Sequence, residues 1–200
     1  MPSPAALKYY SESSKARILC QTALNPRLRP MTREQIQVYY HSALAAFVAA
    51  WDAYINDLVR HFFDVTADPL DLRFHAIHSI ARAIAERALE RFNTPNWENT
   101  RNLLSQYTGY DPISDWVWTS RSMGVAAVQQ RLNQILRVRH SFAHGFSIPA
   151  YPWTQSPTGK VRLTSQTVKD VDAFFQQLVT ATDLGMKQHI ERNYLIILSW

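Results

Sequence analysis

One cysteine, Cys20, is the chain's entire thiol content. No disulfide can form within it, so a cystine-stapled scaffold is excluded and a reducing compartment is expected. The start, Met1-Pro2-Ser3-Pro4, lacks the basic region and apolar core of a secretory signal. The longest strongly apolar run, Ala43 to Trp51, falls far short of the roughly 20 residues needed to cross a bilayer. These absences predict a cytoplasmic protein with no membrane partner. A further absence is local: from Trp116 to Lys169 there is no Asp or Glu. Arg121, Arg131, Arg137, Arg139, Lys160, Arg162 and Lys169 share that segment. The net charge of +5, less these seven, leaves −2 for the rest of the chain. A concentrated positive field on a near-neutral body attracts polyanions, nucleic acid first among them.

With 46% apolar and 18% charged residues, the 200-residue chain is expected to fold as one globular domain, 1–200. Residues 3–24 are compatible with a first helix, broken by Asn25-Pro26 and Arg29-Pro30. Thr32 with Gln35 has the form of a capping box. Ile36, Tyr40, Leu44, Phe47, Trp51, Ile55, Leu58 and Phe62 then recur at spacings of three and four, which predicts a helix over about 32–65 with Phe47, Trp51 and Phe62 in the core. Asp68-Pro69 has the form of a cap and first-turn proline for a helix of about 69–91, with Leu70, Phe74, Ile77, Ala81, Ile84 and Ala88 as its apolar positions. His75 and His78 could share a metal, but no cysteine or third histidine accompanies them at matching spacing, and a structural role is the preferred reading.

Asn93-Thr94-Pro95 opens a shorter helix that stops near Gly109, and Asp111-Pro112 starts a turn or short helix bearing Trp116 and Trp118. Ser122 is placed to cap a helix of about 123–144. Pro149, Pro152, Pro157-Thr158-Gly159 and the alternating Lys160-Val161-Arg162-Leu163 predict a loop or small hairpin. The last helix begins near 164–167, with Val171, Phe174, Phe175, Leu178, Val179 and Leu184 facing inward. The apolar tail Tyr194 to Leu198 either packs on the body or lies at a subunit interface. About six helices and few strands predict an all-α bundle.

The stretch Arg139-His140-Ser141-Phe142-Ala143-His144-Gly145 closes the acid-free helix. At 100° per residue, Val128, Leu132, Ile135 and Phe142 fall within about 80° of one another, and Arg139 lies in the middle of that stripe. Either a carboxylate from a neighbouring helix pairs with Arg139 or the stripe opens there into a cleft, since an unpaired buried guanidinium costs several kcal/mol. Asp52 is the candidate partner in both cases. His140 and His144 are four apart and share a face. That spacing also suits zinc, but the metalloprotease glutamate is missing and no third ligand presents itself, so no metal is expected. Gly145 suits the position after a helix end, which puts His144 in the last turn, where the helix dipole favours imidazolium. Imidazole exchanges a proton near neutral pH, and beside a guanidinium it suits acid–base work on a phosphodiester.

This stretch resembles the R-x4-H signature of the HEPN superfamily of ribonucleases, with a polar residue, His140, after the arginine. The segment Ala45 to Tyr54, with Asp52 directly after Trp51, is similar to the early helix of the RiboL-PSP-type branch. The resemblance implies a HEPN-like all-α bundle and a metal-independent endoribonuclease with no cofactor. It also implies a homodimer in which two motifs face one cleft, often in toxin–antitoxin or anti-phage systems with an antitoxin or regulatory partner. Carried onto this chain, His144 moves the proton, Arg139 stabilises the phosphorane, His140 orients the phosphate or assists, and Asp52 pairs with Arg139 or orients a histidine. Asp57 is a nearby alternative to Asp52. Arg131 and Arg137 are the expected RNA-binding cations. On one straight helix Arg139 and His144 are about 140° apart, a separation that a two-fold axis would ease. The rival reading is a non-catalytic HEPN-like module that binds RNA or a partner protein.

Overall fold

Helix α2 (Arg33–Val65) is the beam on which the molecule is hung. Thr32 caps it: its hydroxyl accepts from the Gln35 amide at 3.2 Å, and the Gln35 side chain accepts from the Thr32 amide at 2.8 Å. Two of the amides that a helix start leaves unpaired are satisfied by this exchange. In the computed structural model, which describes residues 1–28, 31–68, 70–156 and 158–200, α2 packs against five other helices. These are α1 (Pro4–Leu24), α3 (Leu72–Leu89), α4 (Trp97–Thr108), α5 (Val125–Ala143) and α6 (Ser165–Tyr194). Short 3-10 turns at Pro26–Leu28, Pro112–Asp115 and Thr119–Arg121 complete the described structure. Arg29 and Pro30, read above as a chain break, Pro69, read as a first-turn proline, and Pro157, read as part of the loop, lie outside the described residues. No described helix is long and apolar enough to cross a membrane.

The expected stripe on α2 is the core. Phe47, Trp51, Ile55, Leu58 and Phe62 are buried, and Trp51 meets Trp116 and Phe175 ring to ring. Both indoles keep a polar partner: Trp51 Nε1 donates to the Pro95 carbonyl and Trp116 Nε1 to Thr182 Oγ1. Trimming such a side chain to alanine costs about 3–5 kcal/mol. Ser3 caps α1 and ties it to α6 through the buried carboxylate of Asp183, which accepts from both the amide and the hydroxyl of Ser3. Further along α6, Gly185 gives close passage to the Tyr110–Asp115 hydrogen bond, and an added Cβ would collide with both side chains.

Four local expectations are corrected. Asp71 is the N-cap of α3, while Asp68 turns back on the Leu70 amide. Ile77 and Ile84 face outward with Ile80, because α3 is apolar on more than one side and its buried side runs through Ala85 and Leu89. Gly124, not Ser122, precedes α5, and Ser122 is in the left-handed region. Leu184 is exposed, its place on the inner face of α6 taken by Asp183 and Met186. The loop before α6 is a minimal hairpin, with one bridge pairing Gln155 and Val161. The backbone of Leu163 is held instead by the Gln37 side-chain amide, in both directions. In the tail, Leu198 and Trp200 pack inward while Leu195 and Ile197 are exposed.

Candidate functional site

Helix α5 contains no carboxylate, and its buried side is Val128, Leu132, Ile135, Val138 and Ser141. Steps of four and then repeated threes make this stripe drift round the helix, since three residues fall about 60° short of a turn. By the last turn the buried side has moved away from Arg139, which is exposed. The expectation that Arg139 lies within the buried stripe is therefore corrected: Val138 fills that role.

The helix ends in a Schellman motif. Gly145, at φ 69°, donates to the Phe142 carbonyl at 3.3 Å, and Phe146 donates to the Ser141 carbonyl at 2.8 Å. The left-handed glycine reverses the chain and satisfies carbonyls that would otherwise lack partners. His144 is the C-cap residue, one place beyond the last helical turn. The His140 and His144 rings are 4.3 Å apart, and Phe146 folds back to within 6.1 Å of the first and 6.0 Å of the second. Both imidazoles are exposed, and among the described residues neither hydrogen-bonds to protein. Arg139 likewise has no ion pair or hydrogen bond among the described residues.

Asp52 stands half-buried on α2, and its Oδ1 is enclosed without a hydrogen-bond partner among the described residues. One turn on, Asn56 donates to the Asp52 carbonyl at 2.9 Å and leaves its own buried Oδ1 unpartnered. Burial raises the Asp52 pKa, and the charge of Arg139 opposes that rise without direct contact. Asp57 is engaged elsewhere, 2.7 Å from Lys8 and 3.7 Å from Arg60.

His41 escaped sequence reasoning. It is 3% exposed, its ring stacks on Phe142 at 4.7 Å and 11°, and neither ring nitrogen has a partner among the described residues. Burial lowers its pKa to about 4. The available signal was its place on the α2 stripe, three before Leu44 and seven before Val48. Also unanticipated was the aromatic wall beside α5. Arg131 lies 4.9 Å over the Trp153 ring, and Arg121 lies 5.6 Å from Trp118. Arg137 is exposed on α5. On α3, His75 is exposed and His78 Nε2 is 3.0 Å from Thr66 Oγ1. Among the described residues no three His, Cys, Asp or Glu side chains gather in a metal-binding group.

No curated relative and no solved structure matches the chain. A family model described as RiboL-PSP-HEPN does, over residues 12–188, which takes in both the Asp52 helix and the complete 139–145 stretch. The helical bundle and that match agree, and the chain belongs to the RiboL-PSP-HEPN family.

Proposed function

We propose that this protein is a metal-independent endoribonuclease. The observation that carries the reading is the cluster of uncommitted groups at the end of α5. Two imidazoles lie 4.3 Å apart at a capped helix end, and the neighbouring Arg139 has no protein partner among the described residues. Side chains that hold a fold together are spent on one another, and these three are not.

In the proposed reaction the ribose 2′-oxygen attacks the adjacent phosphorus and loses its proton to an imidazole. The P–O5′ bond breaks, and the departing oxygen takes a proton from an imidazolium of the pair. The products are a 2′,3′-cyclic phosphate and a 5′-hydroxyl. His144 is the principal proton carrier, and His140 orients the phosphate or assists the transfer. Arg139 stabilises the negative charge that grows on the phosphorane. Asp52 steadies the Arg139 guanidinium through charge. DNA, lacking the 2′-hydroxyl, is inert.

The angular separation of Arg139 and His144 leads us to place two chains at one cleft, so that each copy completes the other's site. Control by an antitoxin or regulatory protein and a cytoplasmic role as a toxin or anti-phage effector belong to the same proposal. Total RNA incubated with EDTA tests the reaction. The parent is expected to leave cyclic phosphate ends and His144→Ala to leave the RNA intact. Equal cleavage by both proteins overturns the assignment of His144, and no cleavage by a folded, dimeric parent favours a binding module.

A further inference from the structure

A groove of about 520 Å³ lies beside α5, between the 118–123 turn, the 151–153 segment and the start of α6. Trp118, Arg121, Arg131, Gln134, Trp153 and Asp170 are among its lining residues. Its walls are planar and fixed. Trp153 Nε1 donates to Gln134 Oε1 at 2.8 Å, and Tyr151 backs Trp153 nearly parallel, at 10° and 6.1 Å. Arg131, over the same indole, is half-buried, and burial lowers its pKa without removing its charge. Among the described residues no carboxylate is in ion-pair contact with it. The one carboxylate on the wall, Asp170, is 3.6 Å from Arg121 and also accepts from Gln166.

A second groove of about 360 Å³ shares Gln130 and Gln134 with the first and continues to Arg137, with Trp97 and Tyr151 on its wall. Ala126, Gln130, Asn133, Arg137, His140 and His144 follow one another at spacings of four, three, four, three and four. The first five share one face of α5, and His144 follows at its C-cap. The two grooves therefore form a track that leads to the histidine pair, about 20 Å along the axis from Arg131 to His144 at 1.5 Å per residue.

We propose that this track holds the single-stranded stretch of RNA beside the scissile phosphate. An unstacked base lies on the outer plane of the Arg131 guanidinium, which the Trp153 indole backs, and its phosphates rest on Arg121 and Arg137. The link to a scissile phosphate rests on the ribonuclease reading, whereas occupancy of the groove does not. Indole and guanidinium planes accept the face of any base, side-chain amides meet its edge, and a surplus of cations meets the backbone. A base already paired and stacked in a duplex cannot enter, so the track selects single strands.

The test is binding of a short, dye-labelled 2′-O-methyl oligonucleotide of mixed sequence to the intact protein, read by fluorescence anisotropy at fixed salt. Such a strand cannot be cut, because the attacking hydroxyl is blocked. The single strand should bind at least about tenfold tighter than the same sequence annealed into a duplex. Trp153→Ala, which removes the backing of the guanidinium, and Arg131→Gln, which removes the platform itself, should each weaken it about tenfold, in line with the loss of one stacking contact. Lys15→Gln, which removes one charge from exposed α1, should bind like the parent. If Trp153→Ala fails to fold, as judged by circular dichroism, Arg131→Gln decides. Equal binding by parent and groove variants, no binding by the parent, or a duplex held as tightly as the strand overturns the proposal. Cleavage with unchanged KM in the groove variants overturns the track and leaves the ribonuclease standing. Groove-dependent binding by a protein that cuts nothing does the reverse.

Discussion

Two aspartates enclosed by the bundle have opposite surroundings. Asp183 on α6 accepts from the amide and the hydroxyl of Ser3, with the Tyr54 hydroxyl at 3.5 Å, and so closes the start of α1 onto the body. Asp52 on α2 has one enclosed oxygen with no donor among the described residues and a raised pKa caused by burial. The first carboxylate is satisfied by the fold. The second is held at a cost, beside an arginine that has no partner of its own. A carboxylate that stabilises the fold is surrounded by complementary atoms, as Asp183 is and Asp52 is not.

The largest effect should come from breaking the satisfied node. Asp183→Ala leaves the Ser3 and Tyr54 donors stranded and should lower the unfolding free energy by about 3–5 kcal/mol in urea denaturation. Next is the pH response of the site end. His41 is neutral in the fold, with its pKa lowered to about 4 from an ordinary 6.5. The unfolded chain binds the extra proton first, so its contribution to stability is complete above about pH 6.5. It is lost as pH falls through 4, by about 3 kcal/mol in all. His41→Phe should keep the stack on Phe142 and flatten that slope in urea melts at pH 7 and pH 4.5, apart from the smaller part due to His61 and His78, which burial also lowers. A slope unchanged by the substitution would remove His41 from the explanation.

Gly145→Ala should cost about 1 kcal/mol, because φ 69° is strained for a side chain while nothing lies within 4 Å of the added carbon. Thermal melting reads the loss, and cleavage should fall further than melting does, since His144 is the adjacent residue. The smallest effect on stability is the sharpest contrast with Asp183. Asp52→Asn should not lower the unfolding free energy. With the folded pKa raised, the ionised form is disfavoured in the fold above that pKa, and the amide removes this penalty. Cleavage should nevertheless drop, because the guanidinium loses its steadying charge. An Asp52→Asn protein as unstable as Asp183→Ala would make the two aspartates the same kind of residue and dissolve the comparison.

The regular parts of this molecule were legible where one face of a helix was apolar and its ends carried capping chemistry. The α2 stripe, its Thr32–Gln35 box and the Gly109 and Gly145 endings all read correctly. Legibility failed where the period alone could not choose a side. On α3, isoleucines and alanines surround the axis, and the alanine side is the one that packs. On α5, the ideal angle placed Arg139 inward, but steps of three carry the buried stripe past it to Val138 and Ser141. The 139–145 stretch was visible as a motif, and Asp52 was legible as a candidate partner of Arg139, although the two interact only through charge, without an ion pair among the described residues. His41, Tyr151 and Trp153 were not visible beside α5, because only the packing of α2 and of the loop before α6 brings them there.

The place of Arg139, His140 and His144 outside the core has a consequence for the life of damaged copies. A chain that loses His140 or His144 loses no hydrogen bond or ion pair, among the described residues, between α5 and α2, and one that loses Arg139 loses only a charge that acts on Asp52 without contact. Quality control acts on exposed interiors, and this interior stays closed. On the proposed reading, a copy silenced at His140 or His144 stays folded, still presents the amides and arginines of α5, and is expected to compete with working copies for the strand.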